Sequence, residues 1–373
     1  MGMVKEVDFT KIQRTCSEQQ VREGARNLLV NGCGVTRGTE LVILNENGLV
    51  EPDLADIIEQ EAHQLGAVVY VIWADSVPNP ESLPGPVMEA IKKAEVTLMN
   101  HLLAASLRLV PFDGTGLKMM NMLFTWNQMG SAFGRTHFDV GREILKEISP
   151  KMAGASEWHI TCPLGTDLRA PIPRKSSAGS SGTGDSFTLL SFQLSVSGVY
   201  SNLKSNGKLA VQWVTPSTTR VLNAKGICLS SPVIATVENG RMVDFEGDAK
   251  AINELKTYLD KAGKEVDKDG FIINSWHAGT HPICGTDIKP TDDMFAWILL
   301  AHGNPRLAHL HVIGEPAPGE GSIPLLDPTI TFDGEPIWKN GELACCQDPE
   351  FRARISQWGD PDELLKQVRN IGV

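Results

Sequence analysis

Two apolar runs, AVVYVIWAD at 67–75 and VTLMNHLL at 96–103, most constrain what this 373-residue chain can become. Continuous apolar runs of this length read as strands buried on both faces, which is the habit of parallel sheets covered by helices. Segments with apolar residues at helical spacing lie between and around them: SEQQVREGARNLLVNG, EPDLADIIEQEAHQLG and PGPVMEAIKKAE. With GTELVILNE as a further short strand, the alternation predicts a parallel α/β sheet over roughly residues 35–150. No G-x-G-x-x-G turn follows a strand and no G-x-x-x-x-G-K-[ST] loop is present, so a nucleotide cofactor is not indicated.

From about residue 155 the pattern changes. EWHITCPLGTDLRAPIP alternates polar and apolar residues around a Gly-Thr turn, as a β-hairpin does. KSSAGSSGTGD is a Ser/Gly stretch expected to be a loop, either a lid or a linker. Strand-like pieces follow in KLAVQWVT, GICLSS and VIATVENGRMVDFEG, whose Asn-Gly pair signals a hairpin turn. A helix over DAKAINELKTYLDKAGKE interrupts them. Strand GFIINSW, helix DDMFAWILLAHG, strand LAHLHVIGE and a final hairpin TITFDGEPIWKNGEL complete the order. The expected organisation is an α/β domain at 1–153, a β-rich α+β domain at 154–346 and a helical tail at 347–373.

Composition narrows the partners. The net charge of −11 argues against nucleic acid or an anionic membrane as the main partner, since both demand basic patches. The longest apolar stretches are too short to span a bilayer, and the N-terminal residues lack the layout of a secretory signal. Seven cysteines without C-x-x-C spacing, two of them adjacent at 345 and 346, read as reduced thiols and a cytoplasmic location.

Five of the nine histidines fall between positions 277 and 311, and clustered imidazoles suggest metal or proton chemistry. Side chains two apart on a strand share a face, roughly 6–7 Å apart, so His309 and His311 in LAHLHVIGE would present two imidazoles together. A third ligand from His277 or His281 would complete a face with positions left open. The plainer alternative, that the pair is only the polar face of a half-exposed strand, carries about equal weight on this pattern alone. His63, His101, His137 and His159 read as surface or structural residues, although His101 follows a buried strand where α/β sites lie. Glu246, before a helix, suits the helix dipole better than a metal; Glu315 is a weaker candidate, and Asp167 and Arg169 read as hairpin residues. Ser180, Ser181 and Ser186 lie in the Ser/Gly loop without a G-x-S-x-G elbow, so a hydrolytic triad finds little support.

The order ITCPLGTDLRAPI, VENGRMVDFEGDAKA, SWHAGTHP, HLHVIGE and PTITFDGEPIWKNGEL resembles the family that joins aminopeptidase T-like metallopeptidases with 2,5-dihydroxypyridine ring-cleaving dioxygenases. The likeness covers most of the chain and is strongest over 155–345. It implies an α/β domain and a β-rich domain with metal in the cleft between them, and a homo-oligomer. The peptidase branch holds two metal ions through glutamates, histidines and an aspartate; the dioxygenase branch holds one Fe(II) through two histidines and an aspartate. Carried across, the dioxygenase ligands fall on His277 and His309, with His311 standing where an aspartate is expected. Glu246 is the one plausible counterpart of the peptidase glutamates, which disfavours a two-metal site. His302 and His281 are the candidates for substrate contact or proton transfer.

These readings lead to a mononuclear metalloenzyme using Fe(II) on His277, His309 and His311, with Zn(II) or Mn(II) as alternatives. The expected reaction is O2-dependent cleavage of a hydroxylated or amino-substituted aromatic or N-heterocyclic ring. The rivals are a hydrolase or deaminase with a metal-bound water on the same histidines, since three neutral ligands also suit zinc, and a binding protein with a structural metal.

Overall fold

The computed structural model describes residues 13–77, 79–107, 112, 114–173, 187–193, 195–216, 225–315 and 319–373. The chain forms two compact units, Met1–Arg142 with Ser180–Leu194, and Glu143–Gly179 with Ser195–Val373. In chain order the first strands are β1 (Glu40–Glu46), β2 (Val68–Ala74), β3 (Val96–Asn100) and β4 (Gly116–Asn121). The hairpin strands β5 (Glu157–Thr161) and β6 (Asp167–Pro171) follow, and then β7 (Phe187–Phe192).

The first unit is the expected parallel α/β sheet, in the order β2-β1-β3-β4-β7 with every pair parallel. Helices cover it because their ends are capped and one stripe of each is apolar. Ser17 and Gln20 form a capping box for the helix Glu18–Arg26, and Pro52 starts the helix Pro52–Gln64, whose Leu54, Ile57 and Ile58 are buried. On one face Leu41, Ile43, Leu98, Met119 and Phe192 pack with these helices; on the other Leu44, Met99, Met120 and Leu189 pack with Ile91. β3 is therefore buried along its whole length, as its apolar run requires.

Two details differ from the sequence reading. β2 was expected to be buried on both faces, but it is the edge strand, and Val68, Tyr70 and Trp73 are exposed. An apolar run specifies a strand and not its rank in the sheet. β7 lies inside the span assigned to the β-rich domain yet joins the first sheet, parallel to β4, burying Leu189 and Phe192.

Polar groups inside this sheet pair among themselves. Asn121 donates to Asn100 Oδ1 and Asn100 to Asn45 Oδ1, both at 2.8 Å, across β4, β3 and β1. Lys118, buried in β4, donates to the Ala94 carbonyl at 3.0 Å, and burial lowers its pKa to about 8.

The second unit adds β8 (Tyr200–Ser201), β9 (Asn206–Pro216), β10 (Ile227–Glu238), β11 (Arg241–Glu246), β12 (Ile273–Ala278), β13 (Leu307–Val312), β14 (Gly321–Leu326), β15 (Thr329–Phe332), β16 (Glu335–Lys339) and β17 (Glu342–Leu343). Its antiparallel sheet runs β17-β16-β15-β5-β6-β9-β14-β13-β12-β8, with β10 on β9 and β11 on β10. Turn chemistry sets the hairpins: Asn239-Gly240, Asp333-Gly334 and Asn340-Gly341 all take positive φ. The last two make TITFDGEPIWKNGEL a three-strand meander rather than one hairpin. Asp248 and Asp293 cap the helices Ala249–Glu265 and Met294–Ala301, and the tail forms short helices at Pro349–Ile355 and Pro361–Leu364. No described helix is long and apolar enough to cross a membrane.

Candidate metal centre

β13 lies between β12 and β14 and is buried throughout, as is β12. The antiparallel register sets His277 opposite His309 and Ser275 opposite His311, with Trp276 opposite Leu310. Because side chains alternate, Ser275, His277, His309 and His311 share one face. Trp276 and Leu310 turn to the other, where the Trp276 ring lies 5.3 Å from that of Tyr200 and 5.5 Å from that of Trp158, centre to centre. Burial of residues such as Leu310 stabilises by roughly 1.5–3 kcal/mol each, and it is this apolar back that fixes the polar front.

The front face gathers three imidazoles. Ring centres are 4.1 Å apart for His277 and His309, 4.9 Å for His277 and His311, and 5.1 Å for His309 and His311. One ligand nitrogen from each lies within 4.8 Å of the others, and these are the only such grouping of His, Cys, Asp or Glu among the described residues. The Nε2 atoms of His277 and His309 approach to 2.5 Å. Neighbouring ligands of one ion, with bonds of ~2.0–2.1 Å, sit roughly 3 Å apart, so a cation would need to spread this pair by only a fraction of an ångström. The donor set fits a metal: one nitrogen from each of three buried imidazoles lies at the mutual distances that ligands of a single ion take up. Among the described residues no carboxylate joins the group, so these three ligands leave a divalent ion's charge uncompensated.

The structure brings His277, His309 and His311 together as the sequence pattern suggested, although His277 lies within β12 and not after it. His302 stands beside them at the end of the helix Met294–Ala301, its ring 6.2 Å from that of His309. Its Nδ1–H donates to the Leu299 carbonyl at 2.6 Å, which orients the ring. His281 is outside the three-histidine group; it is fully buried, and burial pushes its pKa down to about 3, so it stays neutral.

The other candidates lie elsewhere. Glu246 is exposed and paired with Lys208 at 2.5 Å, Asp167 bonds His159 at 2.7 Å, and Glu315 is exposed. His101 is buried beyond β3, its Nδ1 accepting from Leu103 N at 3.1 Å and its Nε2 facing the Asp75 carbonyl at 3.2 Å. Ser180, Ser181, Ser186 and the 176–185 loop lie outside the described residues.

Two residues escaped the sequence reading. Ser275 Oγ is 2.8 Å from His311 Nδ1, and its own hydroxyl donates to Asn274 Oδ1 at 2.6 Å. The period of two in Asn-Ser-Trp-His could have placed Ser275 on the histidine face, but only the register reveals that it opposes His311.

No family model matches the chain, and no curated protein matches it in sequence. Solved structures do. The 2,5-dihydroxypyridine dioxygenase from Pseudomonas putida KT2440 aligns over 90% of this chain and 99% of its own, with a TM-score of 0.61 and 14% identity. AmpT from Thermus thermophilus aligns over 88% of this chain and 99% of its own, with a TM-score of 0.51 and 10% identity. These are the two kinds of protein that the sequence motifs resemble, and both are enzymes. At such identities the likeness establishes the fold: this chain is built on the two-domain fold of those enzymes, with three metal-competent histidines in its β-rich half.

Proposed function

We propose that this protein is a mononuclear metalloenzyme that opens a hydroxylated or amino-substituted aromatic or N-heterocyclic ring with O2, using Fe(II) held by His277, His309 and His311. The observation that carries the reading is the convergence of three buried imidazoles, with no carboxylate of the described residues in the group. The fold, shared with a dihydroxypyridine dioxygenase, supports the choice of reaction. A redox-active divalent ion supplies the electron exchange between ring and O2 that the two cannot make directly. One ring bond and the O–O bond break, two carbon–oxygen bonds form, and no outside reductant is consumed.

The chain's own part is electrostatic and positional. Three neutral ligands leave a dication's charge in a buried site, which favours a substrate bound as an oxyanion once its hydroxyl proton is removed. His302, with Nδ1–H committed to Leu299, offers Nε2 to accept the substrate's hydroxyl proton. His281, neutral and buried, serves as a fixed polar group and not as a cationic acid. The partners on this reading are a small aromatic or heterocyclic molecule and O2, in a cytoplasmic homo-oligomer.

The test is anaerobic loading with Fe(II) followed by oxygen uptake with dihydroxypyridines and aminophenols. One O2 consumed per ring opened is the expected result. A second reading follows from the same donor set, because three imidazoles also suit zinc with an activating water. One equivalent of zinc in the purified protein, with oxygen-insensitive amide hydrolysis or deamination and no uptake with any ring compound, would replace the first reading with the second.

A further inference from the structure

The ligand His311 has a choice that an aspartate in its place would not have. An imidazole binds metal through whichever nitrogen lacks the proton, so a site that already holds the binding tautomer avoids the cost of shifting it. The surrounding hydrogen bonds set it, beginning from a group that can only accept. Asn274 Nδ2 donates to the Gly314 carbonyl at 2.6 Å, so its Oδ1 faces Ser275. The Ser275 hydroxyl spends its single proton on that oxygen at 2.6 Å, leaving Oγ to accept from His311 Nδ1–H at 2.8 Å. Nε2 is then the atom able to take a metal, matching the Nε2 presented by His277 and His309.

The backbone around Asn274 is shaped to hold this chain of bonds. Ile313, buried and β-branched, has φ +66°, and Gly314 follows at φ +85°, which brings the Gly314 carbonyl to Asn274. A β-branched residue in that region is strained. Gly319, at φ +74°, lies so close that a Cβ there would stand 2.6 Å from Asn274 Nδ2.

We propose that Ser275, oriented by Asn274, is a positioning residue that locks His311 in its Nδ1–H tautomer and so preorganises the metal site. This rests on His311 being a ligand, the reading given above. The test compares the full-length protein with Ser275→Ala, Ser275→Cys and Ser275→Thr. Long-range 1H–15N spectra of the metal-free proteins report the His311 tautomer, and chelator competition with Zn(II) alone reports affinity. Wild type and Ser275→Thr are expected to show the Nδ1–H form. Ser275→Ala is expected to shift it toward Nε2–H and weaken zinc binding ~10–100-fold, with the near-isosteric Ser275→Cys moving the same way less far. In a His311→Asp background, removing the Ser275 hydroxyl should change zinc affinity little, because a carboxylate has no tautomer to fix. An unchanged tautomer in Ser275→Ala and Ser275→Cys, or a changed tautomer with unchanged affinity, overturns the proposal. If His311→Ala alone leaves zinc affinity unaltered, it is instead the ligand assignment that fails, while the metal-free spectra still judge the hydrogen-bond relay.

Discussion

Each half of the molecule buries a row of polar side chains across adjacent strands, and the two rows are resolved in opposite ways. In the parallel sheet Asn121, Asn100 and Asn45 hand hydrogen bonds from strand to strand, and Asn121 also bonds Leu123 at both ends of its amide. That row closes on itself almost completely, with Asn45 Nδ2 left over at its end. In the antiparallel sheet His277, His309 and His311 turn nitrogens toward one point. A closed row stabilises a fold, whereas a row of nitrogens converging on one point presents a ready set of ligands for a metal ion. Burial is common to both, so burial alone does not distinguish a structural network from a site; the direction of the donors does.

The largest expected effect comes from breaking the convergent row. His309→Ala should weaken zinc binding by more than the ~100-fold upper end expected for losing a hydrogen-bond partner of a ligand, read by chelator competition, with the circular dichroism spectrum unchanged. Loss of the fold instead would make the metal structural. Breaking the closed row should do the reverse. Asn100→Leu strands the Asn45 amide and is expected to cost about 1–3 kcal/mol in urea unfolding, with zinc affinity unaltered. A change in affinity would show that the two rows are not independent.

Lys118 sharpens the contrast through pH. Its folded-state pKa is lowered from 10.5 to about 8 by burial, so between those values the unfolded chain binds more protons than the folded one. Stability should therefore rise as pH climbs through that window, and Lys118→Met should flatten the rise. Equal slopes in both proteins would remove Lys118 as the cause. The smallest effect is expected at Glu246, whose exposed pair with Lys208 is worth ~0–1 kcal/mol. Glu246→Gln should leave zinc affinity where it was; a clear loss would return that carboxylate to the metal.

The same contrast explains what could be read from residues alone. Alternation along LAHLHV revealed that His309 and His311 share a face, because a strand's period is independent of its neighbours. Asn-Gly and Asp-Gly pairs likewise marked their turns by local chemistry. Facts that depend on which strand pairs with which stayed hidden. The opposition of Ser275 and His311 follows a register irregularity between Ile273 and Ser275 in β12, and nothing in the local sequence announces it. The exposed edge position of β2 and the return of β7 to the first sheet are hidden for the same reason.

That return has a consequence for how the chain comes into being. β4 ends at Asn121, and its partner β7 begins only at Phe187, after the strands of the β5–β6 hairpin. At ~5–20 residues per second of synthesis, several seconds pass in which β4 has been made and its neighbour has not. Until then β4 is a bare strand edge offering unpaired backbone groups to any passing chain. A gene fragment cut after the helix Phe138–Ala153 would make that interval permanent, so the parallel unit is expected to aggregate as a truncation although it looks like a natural place to divide the protein.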